Sequence, residues 1–213
     1  MLEDKVLIFD VDNTLYQAGD LVDQKEDIYI KRFFADKLNI DEDRAWHIIQ
    51  DIRSRYRYDV DALESEYPFS KCEFMEKCCR VDMSFLEPNL ELNNLLHSIP
   101  QTKIIFTDNT ANHVDDVFNA VGIDANNFIG IFDAHSMNYT FKHQNKAFEM
   151  MLEHFKVNPV NCVMFEDNIS NLQMAKNFEM TTVLVNPKIT EKPQFVDYMF
   201  ADITSALKYL IEN

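Results

Sequence analysis

An α/β fold is what this sequence predicts: a parallel sheet with helices on both faces, interrupted by an inserted all-helical segment. Three observations carry that expectation. Short apolar runs of strand length stop abruptly at polar residues. Amphipathic helical patterns lie between the later runs. One long interval, residues 20 to about 98, holds helical patterns and no clear strand. Strands alternating with helices imply βαβ units, and right-handed crossovers put the helices on both faces of the sheet.

Val6-Leu7-Ile8-Phe9 lacks alternation and stops at Asp10, as a strand buried on both faces does. Lys103–Phe106 before Thr107, Phe128–Phe132 before Asp133, Cys162–Phe165 before Glu166 and Thr181–Val185 have the same form, and Tyr198–Phe200 reads as a short edge strand. Helical spacing recurs at Val114, Val117, Phe118 and Val121, at Phe148, Met151, Leu152 and Phe155, at Leu172, Ala175 and Phe178, and at Ile203, Leu207, Leu210 and Ile211. In the long interval, Ile28, Ile30, Phe33, Phe34 and Leu38 form one helical stretch. Asp41 can cap the next, which carries Ala45, Ile48, Ile49 and Ile52. Segments around Phe74–Cys79 and Leu90–Leu96 follow. The expected domains are therefore a core of residues 1–18 and 99–213 and a helical insertion of residues 19–98.

The 213 residues suit one domain with a modest insertion. Hydrophobic residues make up 46% and charged residues 26%, which excludes wholesale disorder. Against 36 acids there are 20 Lys and Arg, a formal charge of −16 that repels nucleic-acid polymers and anionic membranes. No apolar run approaches a membrane span. The start of the chain lacks the basic residues and longer apolar stretch of a secretory leader. Cys72, Cys78, Cys79 and Cys162 fit neither a disulfide framework nor a zinc site, so free thiols and a cytoplasmic location are expected.

In an open parallel sheet, ligands bind beyond the carboxyl ends of the strands. Asp10-Val11-Asp12-Asn13-Thr14 follows the first run, Thr107-Asp108-Asn109 the second and Glu166-Asp167 a later one, with Lys142 between the last two. Carboxylates gathered on one rim repel each other and need protons or a cation to coexist. A hard divalent metal with oxygen ligands is the simplest remedy.

The string Phe9-Asp10-Val11-Asp12-Asn13-Thr14-Leu15-Tyr16 resembles the first motif of the haloacid dehalogenase-like (HAD) phosphatases. Ile104-Ile105-Phe106-Thr107 is similar to the second, Lys142 with Ala147-Phe148 to the third, and Phe165-Glu166-Asp167 with Asn171-Leu172 to the fourth. The four stand in family order across the whole chain, and the insertion falls where a C1-type helical cap belongs. The Asp-Asn-Thr-Leu-Tyr start and Leu86-Glu87-Pro88-Asn89 resemble the pyrimidine 5′-nucleotidase branch.

The resemblance implies a doubly wound, Rossmann-like core with an inserted cap, and an Mg²⁺-dependent phosphomonoester hydrolase. It makes Asp10 the nucleophile and Asp12 the acid and base. It assigns phosphate binding to Thr107, Asp108 and Lys142. It assigns the metal to Asp10, Asp12 (through its backbone carbonyl), Asp167 and Glu166. An acid at 12 favours phosphoryl chemistry over dehalogenation, which has no leaving oxygen to protonate. Asp108 stands where Asn is common and His143 where Pro is common. The expected partner is a small phosphorylated metabolite, first a pyrimidine nucleoside 5′-monophosphate, with sugar phosphates as rivals and the protein a monomer or homodimer. A catalytically weak binding or regulatory protein and a receiver-like domain are the other classes.

Some residues have plainer readings. Thr107 can be a helix N-cap. Lys146 rivals Lys142. Phe33, Phe34 and Trp46 fit a core, whereas Tyr16, Tyr56 and Tyr58 are candidate substrate contacts. Arg53, Arg55 and Arg57 fit local ion pairs. His113 and His143 lie near the motifs.

Overall fold

The computed structural model describes residues 4–56 and 60–212. Arg57, Tyr58 and Asp59, with the side chains of Tyr56 and Asp61, lie outside the described residues, and so do the expectations placed on them. Two compact units form: one from residues 1–18 and 83–213, the other from residues 19–82.

The first unit contains a six-stranded sheet among its described residues: β1 (Val6–Phe9), β2 (Lys103–Phe106), β3 (Ile131–Phe132), β4 (Cys162–Glu166), β5 (Thr181–Val185) and β6 (Tyr198–Phe200). The order is β3-β2-β1-β4-β5-β6, and every pairing is parallel. β1, β2 and β4 are the central strands, which is why their sequences are unbroken apolar runs. β1 to β3 grow to one side and β4 to β6 to the other. The direction of winding therefore reverses between β1 and β4, where Ile8 is paired with Met164 and Phe9 with Phe165. Such a reversal opens a crevice at the carboxyl ends of the two strands. Beneath it the Phe9 and Phe165 rings stack, with centroids 4.5 Å apart.

Helices α5 (Leu90–Ser98), α6 (Ala111–Val121), α7 (Asn145–Phe155), α8 (Ile169–Asn177) and α9 (Ile203–Glu212) complete this unit. Helix α6 starts at Thr110, whose side chain accepts from the His113 amide, and ends at Gly122 (φ 79°), a left-handed position that suits glycine. Met151 of α7 is fully buried beside Ile8, Ile104 and Met164.

The second unit consists of α1 (Leu21–Leu38), α2 (Glu42–Tyr56), α3 (Val60–Glu66) and α4 (Lys71–Cys78). Asp41 accepts the Arg44 amide at 2.8 Å, the capping its sequence position foretells. Phe33 and Phe34 of α1 meet Phe69 and Phe74 in edge-on contacts that make this unit's aromatic core. Trp46 departs from its expected place: it is half-buried, with the Arg53 guanidinium 5.4 Å from the ring centroid. Arg53 also pairs with Asp27, and Arg55 with Asp51 and Glu66, as local pairing predicts.

Two element boundaries differ from the sequence reading. Residues 83–98, expected in the insertion, group with the sheet-bearing unit, α5 among them. Leu92 and Leu96 are fully buried, and the Lys208 ammonium of α9 lies 2.6 Å from Glu91. The run Phe128–Phe132 yields only the two-residue strand Ile131–Phe132: the Phe128 amide closes a turn onto Ala125, while the Ile129 amide and the Gly130 carbonyl bond Lys103 and Ile105 of β2. The four cysteines are thiols. No helix among the described residues is long and apolar enough to cross a membrane.

Candidate active site

The loops that leave β1, β2, β3 and β4 at their carboxyl ends carry the polar residues. Asp10 follows β1 directly, and its amide bonds the Phe165 carbonyl at 3.0 Å, so the strand pairing fixes its backbone. The chain then turns sharply: the Thr14 and Leu15 amides both return to the Val11 carbonyl. The turn places Asn13 in the left-handed region (φ 59°), a conformation Asn tolerates through local hydrogen bonds. Its Oδ1 accepts the Ala18 amide at 3.1 Å. Thr14, reversed by this turn, donates to Asp10 Oδ2 at 2.8 Å.

Lys142 reaches this point from the loop between β3 and α7 and is 1% exposed. Its ammonium donates to Asp10 Oδ1 at 2.5 Å, Glu166 Oε2 at 2.8 Å and the Phe106 carbonyl at 3.3 Å. These acceptors come from the ends of β1, β4 and β2. Lys146, the rival cation, is exposed and lies 3.9 Å from the Glu149 carboxylate. The 142 loop is held in turn by Asp108, whose Oδ1 accepts the Lys142 amide at 2.8 Å. The carboxylate after Thr107 thus has a backbone partner.

Asp10, Glu166 and Asp167 each offer one oxygen within 4.8 Å of the others. Glu166 Oε1 accepts the Asn168 amide at 3.2 Å, and Asn186 donates to the Asp167 carbonyl at 3.1 Å, which fixes the loop after β4. Three hard oxygen donors at this spacing suit a divalent cation such as Mg²⁺. Asp12 is set apart from this trio by its side chain. Its Oδ1 meets His113 Nε2 at 2.7 Å and accepts the Tyr16 hydroxyl.

Burial and crowding set the charges. Burial lifts Asp10 to about 6, with Asp167 and Asp12 adding to the rise and Lys142 opposing it. Burial and the neighbouring Asp10 lift Glu166 to about 7, and burial with Glu166 lifts Asp167 to about 8. Burial works against the Lys142 charge, but Asp10, Glu166 and Asp108 outweigh it and hold the ammonium well above its usual value. Burial would likewise raise Asp12. The charge and hydrogen bond of His113, helped by Tyr16 and Lys142, leave it below its usual value.

Thr107 is buried at the end of β2, and its hydroxyl accepts the Asn109 amide at 3.1 Å. It is not the helix cap: Thr110, three residues on, has that role. The structure therefore joins Asp10, Lys142 and Glu166 by direct contact, brings Asp167 beside them, and ties Asp108 to Lys142. Among the predicted site residues, the Thr107 hydroxyl serves the Asn109 amide, and the Asp12 carboxylate turns to His113 and Tyr16. The partnership of His113 and Tyr16 with Asp12 was not read from the sequence. A signal was present: His113 lies on the same stripe as Val117 and Val121, and a polar ring on a buried stripe needs a polar partner.

This sheet, with acids at the ends of its two central strands and a lysine between them, defines a class of hydrolase. The family model for haloacid dehalogenase-like hydrolases matches residues 5–179, and the chain belongs to that family. It is 26% identical over 198 residues to Phosphate metabolism protein 8 of Saccharomyces cerevisiae, covering 84% of this chain and 61% of that one. The chain thus spans about three fifths of that relative's length. Among solved structures it resembles a HAD phosphatase from Thermococcus onnurineus (TM-score 0.68, 19% identity, 97% of each chain). It also resembles a 2-haloacid dehalogenase from Pseudomonas syringae pv. Tomato DC3000 (TM-score 0.63, 17% identity, 98% of each chain). At these identities the two structures show the shared fold.

Proposed function

We propose that the chain hydrolyses small phosphomonoesters through an aspartyl-phosphate on Asp10. The observation that carries this reading is the Lys142 ammonium held between Asp10 and Glu166, with a second acid, Asp12, held separately by His113 and Tyr16. One carboxylate stands against a fixed cation that favours its charged form, as a nucleophile requires, and the other is hydrogen-bonded away from that cation, as a proton carrier requires.

In the first step an Asp10 oxygen bonds to phosphorus, the ester P–O bond breaks, and Asp12, which must first take up a proton beside the anionic ester, passes it to the departing oxygen. In the second, Asp12 takes a proton from water, the water oxygen bonds to phosphorus, and the Asp10 carboxylate leaves as inorganic phosphate is formed. Lys142 and Thr107 would receive the phosphoryl oxygens. Asp10, Glu166 and Asp167 would hold Mg²⁺, with the Asp12 carbonyl as a further donor by family resemblance. Bound there, the ion would offset charge on the phosphoryl group.

A dehalogenase shares the fold but has no leaving oxygen to protonate, and the placement of Asp12 favours the phosphatase. A pyrimidine nucleoside 5′-monophosphate is the substrate we propose, on the resemblance of the stretches starting at Asp12 and Leu86. The test is turnover of p-nitrophenyl phosphate with and without Mg²⁺, followed by a panel of nucleotides and sugar phosphates. Asp10→Asn should abolish both turnover and acid-stable labelling by a ³²P-ester. Unchanged turnover in that variant would remove the mechanism, and preference for a sugar phosphate would replace the substrate.

A further inference from the structure

We infer that His113 is a positioning residue that, together with Tyr16, aims the Asp12 carboxyl at the leaving group. This rests on the phosphatase reading above.

Both contacts fall on one oxygen. His113 Nε2 lies 2.7 Å from Asp12 Oδ1, and the Tyr16 hydroxyl donates to the same atom. Among the described residues no hydrogen bond falls on Oδ2. A carboxyl rotates freely about its last bond unless it is held, and two donors on one oxygen hold it. The other oxygen is then the one presented for proton transfer. Such transfer needs hydrogen-bond reach, and small misplacements are costly.

The holders come from different parts of the chain. Tyr16 is four residues beyond Asp12, on the turn that Asn13 permits. His113 is 101 residues away, in the first turn of α6, with a side chain that is 0% exposed. The first turn of α6 is fixed twice over. Thr110 Oγ1 accepts the His113 amide at 3.4 Å, and Asp133 Oδ2 accepts the Ala111 amide at 3.0 Å. Asp133 is itself held by Ser136, whose amide and hydroxyl donate to Oδ1 at 2.9 and 2.7 Å. The ring therefore stands on a fixed helix end and is itself fully buried, while the Asp12 side chain it holds is 28% exposed. An imidazole Nε2–H facing a carboxylate is the arrangement in which the histidine donates.

A residue that merely packs α6 would lower the rate for every ester alike when removed. One that aims the acid would matter most where the leaving oxygen needs a proton. The experiment compares kcat/KM, which reports steps through leaving-group departure, for an alkyl ester (glycerol 2-phosphate) and an activated one (p-nitrophenyl phosphate). The proteins are wild type, His113→Leu, His113→Gln and Tyr16→Phe. His113→Leu should lose about 10²-fold on the alkyl ester and only a few-fold on the aryl ester. His113→Gln, whose amide can reproduce the Nε2 donor, should recover most of the alkyl activity. Tyr16→Phe, which deletes one hydroxyl, should show the same selective loss in milder form and keeps the test open should His113→Leu fail to fold. Equal losses on both esters, or a Gln variant no better than Leu, overturn the assignment while the phosphatase reading stands. A wild-type protein inactive on both esters removes that reading and this one with it.

Discussion

Lys142 and Asp10 are 132 residues apart in sequence, yet the Lys142 ammonium lies 2.5 Å from the Asp10 carboxylate, and both are buried. A second carboxylate, Glu166, is 2.8 Å from the same nitrogen. Removing one partner from a buried ion pair leaves the other charge uncompensated, which is costlier than losing the pair as a whole. Lys142→Met should therefore destabilise the protein by about 3–5 kcal/mol in urea denaturation and abolish phosphatase activity. Lys142→Arg should not restore activity, because a planar guanidinium does not fit a site shaped for a compact ammonium. Wild-type stability in the Met variant would contradict the geometry.

Asp10, Glu166 and Asp167 are crowded enough that each is lifted above its usual carboxylate value. A divalent cation binding the folded state alone must stabilise it. At a hundredfold excess over its Kd, Mg²⁺ should add about 2.7 kcal/mol, seen as a rise in Tm that EDTA reverses. Asp167→Asn should shift the Mg²⁺ concentration needed for both the Tm rise and activity upward. A Tm indifferent to Mg²⁺ in the wild type would count against the metal site.

Asp108 fastens the Lys142 loop through the Lys142 amide. Asn keeps an acceptor at that position and removes the negative charge. Asp108→Asn should hold kcat near wild type and lower KM for an anionic ester several-fold, a gain of about 1 kcal/mol. Asp108→Ala loses the tether, and a displacement of about 1 Å in Lys142 should cost about 10²-fold in kcat. Steady-state kinetics on the two variants distinguish these effects, and similar behaviour in both would mean that the tether is dispensable.

Asp197 offers a pH test away from the site. Its carboxylate meets Lys176 at 2.8 Å through both oxygens and accepts the Thr182 amide at 2.8 Å and the Thr182 hydroxyl at 3.0 Å. Burial pushes it up, but these hydrogen bonds and the Lys176 charge outweigh burial and hold it below its usual value. The folded state then binds fewer protons than the unfolded state, so the contribution is present above the ordinary carboxylate range and is lost as pH falls through the lowered folded value. Asp197→Asn should lower Tm at neutral pH and narrow its gap to wild type in acid. A gap that stays constant across the acid limb would contradict the linkage.

The sheet was legible because a central parallel strand has no solvent face, so β1, β2 and β4 had to be written as apolar runs. Asp10, Asp12, Thr107, Asp108, Glu166 and Asp167 were legible as candidates because they follow those runs, and Lys142 because it precedes Ala147-Phe148. Their family resemblance gave them roles that geometry alone had not. Helix α5 was misplaced because Leu92 and Leu96 would look the same against any apolar partner; only the docking beside α9 shows which unit they serve. Thr107 is a plausible cap in sequence, but the helix begins three residues later and Thr110 caps it.

The sequence by itself determined the alternation of strands and helices, the positions where chains end on a polar residue, and the acidic character of the rim. Only the tertiary structure decided the strand order β3-β2-β1-β4-β5-β6, the meeting of Lys142 with Asp10 and Glu166, and the pairing of His113 with Asp12. The physical reason is one of range. Hydrophobic periodicity and turn chemistry are local and are written into neighbouring residues. Which carboxylate a buried cation or imidazole meets depends on crossovers between strands, and residues 132 or 101 positions apart carry no local mark of each other.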